Sequence, residues 1–558
     1  HETGPRVWRP PNARSHFRRK PKHTKTTKTM SLASSETAVN ALPPRVVYMF
    51  LAKFDAKEGY KMAWASHKGP EYEGLECKAL PSGVHEYAAT NIYLAHECHD
   101  RLYYGTARFR QQNLNPEGGL DRELVKMYSL GILVEPLKGE HWKPHEFSAM
   151  GWEHLGSLDA ALQQYMNTGD MASISLLYLA LSGAALLPEV SRSAAVSNAD
   201  HPLCKLPLIL LTVGPLIFPL FKAALLRKNI LIFNHSSQGT AKLVQETCLR
   251  GPAACGALAY ILSLISVIPR NVQFDFLSRD SDTSLLFSRP LYTVGLQDMG
   301  TNFLAHYPGF IANTSDEILK YQKQLYDYAV VMPSSDYDTC QVFSSSNLSE
   351  PVKATYNDYG KFLKVYRNLP QNTDARRLSM ADDQASIGTL SSIFSAIRNA
   401  YFGEGKENKL YSEPAWWFSA ATSPMSWREY IWLAFAWFAS AGTTEREAGK
   451  ADLDGEESAE GNSLRSELLQ LTSIVGQFHK LTKKWFFIIE EIISETMPAD
   501  AHPNEKFTLE LTPQDIVDME LDPYSQQDLT FVREFVLEYW GSTIEEVEIG
   551  FGLHNFFC

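Results

Sequence analysis

Apolar positions in this chain change their spacing from two near the N-terminus to three and four near the C-terminus. In "PRVVYMFLAKFDAKEGYKMAWASH", two β-rich apolar runs, Val46–Phe54 and Tyr60–Ala65, flank a polar turn with Gly59. That is the pattern of a β-hairpin. A second strand pair is expected around "GLECKALPSGVH" and "TNIYLAH". Arg122–Val134 returns to apolar β material, and Met171–Leu187 reads as a helix. Together these predict a mixed α/β unit.

The most apolar block is "LPLILLTVGPLIFPLFKAALLRKNILIF", Leu206–Phe233. Its charge-free part ends at Phe221 and is interrupted by Pro207, Pro215 and Pro219, whereas a bilayer-spanning helix takes about 20 predominantly apolar residues. Met171–Pro188, Gly251–Pro269 and Tyr430–Thr444 also lack charged side chains. Their Ser, Gly and Ala content, a mean hydropathy of −0.22 and the lack of a flanking Lys/Arg asymmetry favour buried core elements over a multi-span membrane protein. No transmembrane span is expected. Residues 216–226 suit a buried helix, Asn229–Phe233 a strand, "NHSSQG" a turn, Thr240–Leu249 a helix and 253–268 a further apolar helix. Strand, loop and helix in this order predict an α/β layer.

Farther along, Leu464, Leu468, Leu471, Val475, Phe478, Leu481, Trp485, Ile488 and Ile492 step by threes and fours, predicting one long amphipathic helix that ends at Pro498. "SQQDLTFVREFVLEYWG" predicts another, with Ser525 as N-cap and Gly541 as C-cap. Two stretches break the pattern: a Ser-rich polar segment at 366–396 and an acidic low-complexity run at 443–463. Neither can bury enough apolar surface to offset the entropy of ordering, and both are expected to be disordered insertions.

Length and charge narrow the function. A chain of 558 residues exceeds the size of one core, so two or three domains are expected. Net charge is −12, but residues 1–29 hold nine Lys/Arg and one acid, leaving −20 for the rest. An acidic body makes nucleic acid a poor partner, because that affinity rests on cations neutralising phosphates. The basic start has no apolar core of a secretory signal, and residues 1–43 are expected to be a disordered basic and polar tail. Seven scattered cysteines without CxxC spacing suit a reducing, cytoplasmic setting.

Chemical motifs are sparse. "HECHD" offers His96, Cys98 and His99, but with no further ligands at regular spacing the zinc reading yields to polar edge-strand residues. The loop before Thr240 has the strand–loop–helix layout of an anion site, yet lacks both G-x-G-x-x-G and a P-loop lysine. No G-x-S-x-G or H-E-x-x-H occurs. No metal or cofactor is expected. "RRLS" makes Ser379 a candidate phosphorylation site, since a phosphate there could attract Arg376 and Arg377.

The order and spelling of several segments resemble DENN-module proteins, specifically the LCHN-like branch. These are "LECKALPSGVH" (75–85), "KMYSLGILV" (126–134), "VGPLIFPLFKAALLRKNILIF" (213–233), "LYTVGLQDMG" (291–300), "NTSDEILKYQKQLYD" (313–327) and "IVGQFHKLTKKWFFIIEEII" (474–493). The resemblance implies an α/β tripartite module: a longin-like domain (44–190), a central DENN domain (200–335) and a mostly helical downstream domain (336–558). It also implies guanine-nucleotide exchange on a Rab-type small GTPase in membrane traffic, with peripheral rather than spanning membrane association. A scaffold that binds a GTPase without exchange activity is the alternative. Relatives that promote GTP hydrolysis insert an arginine, a part Arg101 or Arg108 would have to play. By resemblance, the GTPase lies between the first two domains, with Gly295, Asp298, Thr314, Asp316 and Glu317 as candidate contacts and Lys222 and Arg227 as further ones. The same residues have structural roles open to them: Gly295 in a turn, Asp316 at a helix start and Arg227 in an internal ion pair.

Overall fold

The computed structural model describes residues 45–113, 125–136, 147–183, 200–234, 251–276, 285–334, 338–369, 413–424, 460–496 and 506–550. Outside them lie the expected tail at 1–43, the loop and helix at 235–250, the apolar run 430–444, Ser379, and most of both expected insertions.

The hairpin predicted at the start is present: β1 (Val46–Asp55) pairs antiparallel with β2 (Gly59–Ala65), and Gly59 turns the chain with φ +79°. The next segment departs from expectation. "GLECKALPSGVH" contains no strand; it forms α1 (Leu75–Ala79) and a 3₁₀ turn at Val84–Glu86. Gly74 and Gly83 precede these turns with φ of +90° and +77°, so the chain coils where continuous β-branched residues would have extended it. The partner of β3 (Ala89–Cys98) is instead β4 (Arg101–Asn113), reached through His99 and Asp100 with φ of +51° and +58°. His96 and Cys98 are buried in an interior strand, which corrects the edge-strand reading of "HECHD". β5 (Val125–Val134) completes this half, pairing with both β4 and β1.

Helices cover both faces of that sheet. α1 supplies Leu75 and Ala79 to one apolar cluster, with Phe50, Ile92 and Phe109. α2 (Leu155–Thr168) and α3 (Ala172–Leu181) pack Leu158, Leu162 and Ile174 against Met49, Leu51 and Ile132 on the other.

The apolar block then forms α4 (Leu206–Val213) and α5 (Ile217–Leu225), the prolines lying in first turns or at the break marked by Gly214. Among the described residues, Pro202–Leu225 is the one helical stretch long and apolar enough to cross a membrane, and 94% of its most apolar window is buried inside the fold. Its apolar surface is already covered by protein. β6 (Ile230–Phe233) follows, buried along its whole length as parallel strands are. α6 (Pro252–Ile265) and α7 (Arg270–Phe276) lead to β7 (Arg289–Thr293), α8 (Leu296–Met299), β8 (Phe310–Thr314) and β9 (Tyr328–Val331). Strands β7, β8, β6 and β9 run parallel in that spatial order. β10 (Gln341–Ser344) and β11 (Asn347–Pro351) then carry the sheet past residue 335 as antiparallel strands.

One sheet of eleven strands results, in the order β11-β10-β9-β6-β8-β7-β3-β4-β5-β1-β2. Its two halves meet where β3 pairs with β7 at Leu94 and Tyr292. α6 lies across β3, β7 and β8 and so spans this seam. A side chain at Gly256 would meet Tyr93 at 2.4 Å, so glycine lets helix and strand approach there.

The C-terminal part adds α9 (Tyr356–Arg367), α10 (Trp416–Ser419) and α11 (Glu460–Thr496), the long amphipathic helix expected from its stepping. Phe478 of α11 packs edge-on and Trp485 tilted against Phe221 of α5, and His479 Nε2 donates to Leu264 O of α6 at 2.9 Å. β12 (Phe507–Leu511) and β13 (Ile544–Ile549) form a separate parallel pair joined through α12 (Pro513–Asp518) and α13 (Gln526–Trp540). Ser525 caps α13 as expected, its Oγ accepting from Asp528 N. The β12–β13 pair was not expected; short strands with alternating acids give a weak periodic signal.

Candidate functional site

The carboxyl ends of β7 and β8 lie side by side, and in open α/β sheets this is where ligands gather. After β7 the chain turns at Val294–Gly295 into α8; after β8 it passes through Ser315 and Asp316 into a 3₁₀ turn, Glu317–Tyr321. The loop after α1 and the start of β2 close over them. Between them is a cleft of about 60 Å³ lined by both halves of the molecule: Tyr60, Cys77, Leu80, Pro81 and Ser82 on one side, and Thr293, Val294, Gly295, Gln297, Ser315 and Asp316 on the other.

Asp316 is the carboxylate of this cleft. Its Oδ1 accepts from Ser82 Oγ at 2.7 Å and its Oδ2 from Leu296 N at 3.1 Å, and Asp316 N is held by Thr314 Oγ1 at 3.1 Å. Gly295 has φ −143°, an extended conformation open to any residue; a Cβ there would lie 2.7 Å from the movable end of Gln297 and 3.1 Å from Asp316 Oδ2, so glycine leaves that space open. Burial pushes the Cys77 thiol up to about 11, aided by Glu76 and Asp298, so it stays neutral at physiological pH.

Asp298 sits behind the cleft. Its Oδ2 accepts from Gly295 N at 2.9 Å and its Oδ1 faces Lys78 Nζ at 3.1 Å. Both side chains are buried. Lys78 also donates to Ala95 O at 2.9 Å and lies 4.0 Å above the Phe303 ring. Burial lowers its pKa, and the charge of Asp298 opposes that shift. His96, pushed down to about 4 by burial and then by the charge of Lys78, has its Nε2 2.6 Å from Glu71 O.

The structure therefore gathers Gly295, Asp298, Thr314 and Asp316 at one place, with Glu317 exposed beside them. Asp298 and Thr314 form its buried frame, while Gly295 and Asp316 face the cleft. Lys222 and Arg227 do not join it. Lys222 Nζ is buried between Asp358 Oδ2 (2.5 Å) and Asp528 Oδ1 (2.6 Å), tying α5 to α9 and α13. Arg227 donates to the backbone oxygens of Ala224, Ser266 and Leu285, capping the turn after α5. Arg108 is engaged with Asp159 and Asn91. Sequence reasoning missed Lys78, Ser82 and Tyr60. A lysine amid Leu75, Cys77 and Ala79 was the available signal for the first.

Comparison with known proteins fits this arrangement. A family model described as "DENN domain-containing protein 11" matches residues 49–341, more than half of the chain and the whole of the cleft. The chain belongs to this DENN-domain family. A second model, "Domain of unknown function (DUF4484)", matches residues 494–551, which include α12, α13 and the β12–β13 pair. The chain is similar to the "Uncharacterized protein ANR2" of Saccharomyces cerevisiae, 24% identical over 545 residues, covering 91% of this chain and 93% of that one. It is also similar to DENN domain-containing protein 11 of Danio rerio, 25% identical over 293 residues, which cover 51% of this chain and 53% of that protein. The corresponding figures for the Mus musculus protein are 24% over 298 residues, 51% and 57%. The match to these vertebrate relatives thus spans little more than half of their length.

Proposed function

We propose that the protein is a guanine-nucleotide exchange factor for a Rab-type small GTPase, using the face around the Asp316 cleft. Membership of the DENN-domain family supports this, because exchange on Rab proteins is the activity that the family resemblance implies. The observation that carries it is the cleft itself: it is built jointly by the two halves of the sheet and holds Gly295 and Asp316, with Asp298 behind them.

Exchange needs no nucleophile and no acid–base pair. The protein has to bind the nucleotide-free GTPase more tightly than the loaded form, and linkage then makes it weaken nucleotide affinity by the same factor. A rigid platform that holds a GTPase segment away from the nucleotide suffices. Around the cleft, Tyr60, Leu296, Ile318 and Tyr321 expose large apolar surface, from 41% to 75% of each residue. Such residues beside a polar anchor are the composition of an interaction face. On this reading the protein works in the cytoplasm, peripheral to endomembranes. The test is affinity for purified Rabs in two states: tighter binding of the nucleotide-free than of the GDP-loaded form is expected, and equal affinity for both across a full Rab panel would reduce the protein to a scaffold.

A further inference from the structure

The cleft has a chemistry that selects its occupant. Its volume, about 60 Å³, is far below the roughly 300–1,000 Å³ that small-molecule and cofactor sites enclose. It has room for the end of one side chain. None of its eleven lining residues is Lys, Arg or His. Its one carboxylate, Asp316, accepts a single hydrogen bond on each oxygen among the described residues, from Ser82 and Leu296. A carboxylate offers about four acceptor positions, so two remain for an incoming donor. Cys77 adds no charge because burial holds it as the thiol. Tyr60, 41% exposed on the outermost strand β2, forms one wall, and Leu80 and Val294 supply apolar surface below it.

We propose that this cleft receives the side chain of a lysine or arginine from the partner protein, its charged head on Asp316 and its alkyl stem against Tyr60, Leu80 and Val294. Charge complementarity gives the direction: a neutral amide or hydroxyl can donate to the Asp316 carboxylate, but a charged donor makes a hydrogen bond roughly twice as strong, and an acidic side chain is repelled. The aromatic wall suits a cation and the methylenes behind it. Gly295 fits the same account: with no Cβ it keeps open the space beside Asp316 Oδ2. That the partner is a Rab-type GTPase rests on the function proposed above; that the occupant is a basic side chain does not.

Two measurements keep the questions apart. The first uses the full chain and the tripeptide Ac-Ala-Arg-Ala-NH₂ against its uncharged citrulline analogue, read by saturation-transfer NMR. Transfer to the arginine peptide, none to the citrulline peptide, and loss in both Asp316→Asn and Tyr60→Ala is the expected result. No transfer, or equal transfer to both peptides, overturns the proposal. Tyr60→Ala leaves the hydrogen bonds of Asp316 in place and serves if Asp316→Asn shifts the melting midpoint. The second measures binding of the nucleotide-free Rab that wild type engages. Removing a hydrogen bond to a charged group weakens binding about tenfold or more, so Asp316→Asn is expected to do so, and changing one surface lysine or arginine of that Rab to methionine is expected to match it without adding to it. An effect of Asp316→Asn within twofold contradicts the proposal while leaving exchange intact. If wild type engages no Rab, the exchange reading fails and the peptide experiment alone decides the cleft.

Discussion

Lys78 on α1 and Asp298 on α8 face each other across the seam of the sheet at 3.1 Å, both shielded from water. With the Leu94–Tyr292 strand pairing and the Ser82–Asp316 hydrogen bond, this ion pair fixes one half of the cleft against the other. Removing one partner of a buried pair strands the other charge, which costs about 3–5 kcal/mol. Lys78→Met should therefore lower stability by that order in urea melts. Lys78→Met combined with Asp298→Asn should lose less than the sum of the two single changes. Additivity within about 0.5 kcal/mol would show that the two are not energetically linked.

Lys222 holds two carboxylates from distant parts of the chain. Burial alone would lower its pKa; Asp358 and Asp528, by charge and hydrogen bonding, more than offset this and hold it raised. In Lys222→Met the two aspartates confront each other in the core, with Lys361, 3.4 Å from Asp358 Oδ1, and the Asp522 N–H, 2.9 Å from Asp528 Oδ2, left to compensate. The expected loss is about 3–5 kcal/mol. Amide hydrogen exchange should locate it as faster exchange in α9 and α13. Unchanged protection in both helices would contradict the role of Lys222 as their tether.

Glu153 gives a pH dependence. Its Oε2 is buried with no hydrogen-bond partner among the described residues, and burial pushes its pKa from 4.5 up to about 7. At Glu153 the folded state then binds more protons than the unfolded one between those values, so its contribution to stability falls as pH rises from about 4.5 to about 7 and levels off above, while buried His96 and His201, both lowered to about 4, contribute in the opposite sense. Glu153→Gln should remove this contribution, so that the variant gains about 2–3 kcal/mol on wild type between pH 5 and pH 8. Urea melts of both proteins at pH 5 and pH 8 check the sign.

Gly295→Ala should separate stability from binding. The extended backbone at φ −143° accepts alanine, and the closest obstacle is the movable end of Gln297. The melting curve should shift by under about 1 kcal/mol, while the new methyl group, 3.1 Å from Asp316 Oδ2, narrows the cleft and weakens whatever enters it. A large stability loss would instead assign Gly295 a packing role.

Elements with strong periodicity were legible in the sequence. The β1–β2 hairpin, β5 and the long helix α11 appear where spacing places them, and β6 and α6 where continuous apolar runs do. β4 was missed because Arg101, Arg108 and Arg110 dilute an alternating run; the structure places Arg108 and Arg110 on Asp159. α1 was read as a strand because five residues are too few to show a helical period. The candidate site was half legible. Resemblance singled out Gly295, Asp298, Thr314 and Asp316, which converge, whereas Lys222 and Arg227 come from an equally distinctive segment whose charges are internal. Spelling alone cannot separate a charge kept to bind a partner from one kept to hold helices together; only the three-dimensional partners do.

The central claim is nucleotide exchange, and the most direct measurement is the release rate of fluorescent GDP from each member of a Rab panel with the full chain added. Acceleration of at least one Rab, rising with protein concentration and reduced in Asp316→Asn, is the result this account predicts. Release rates that stay at the intrinsic value for every Rab would contradict it.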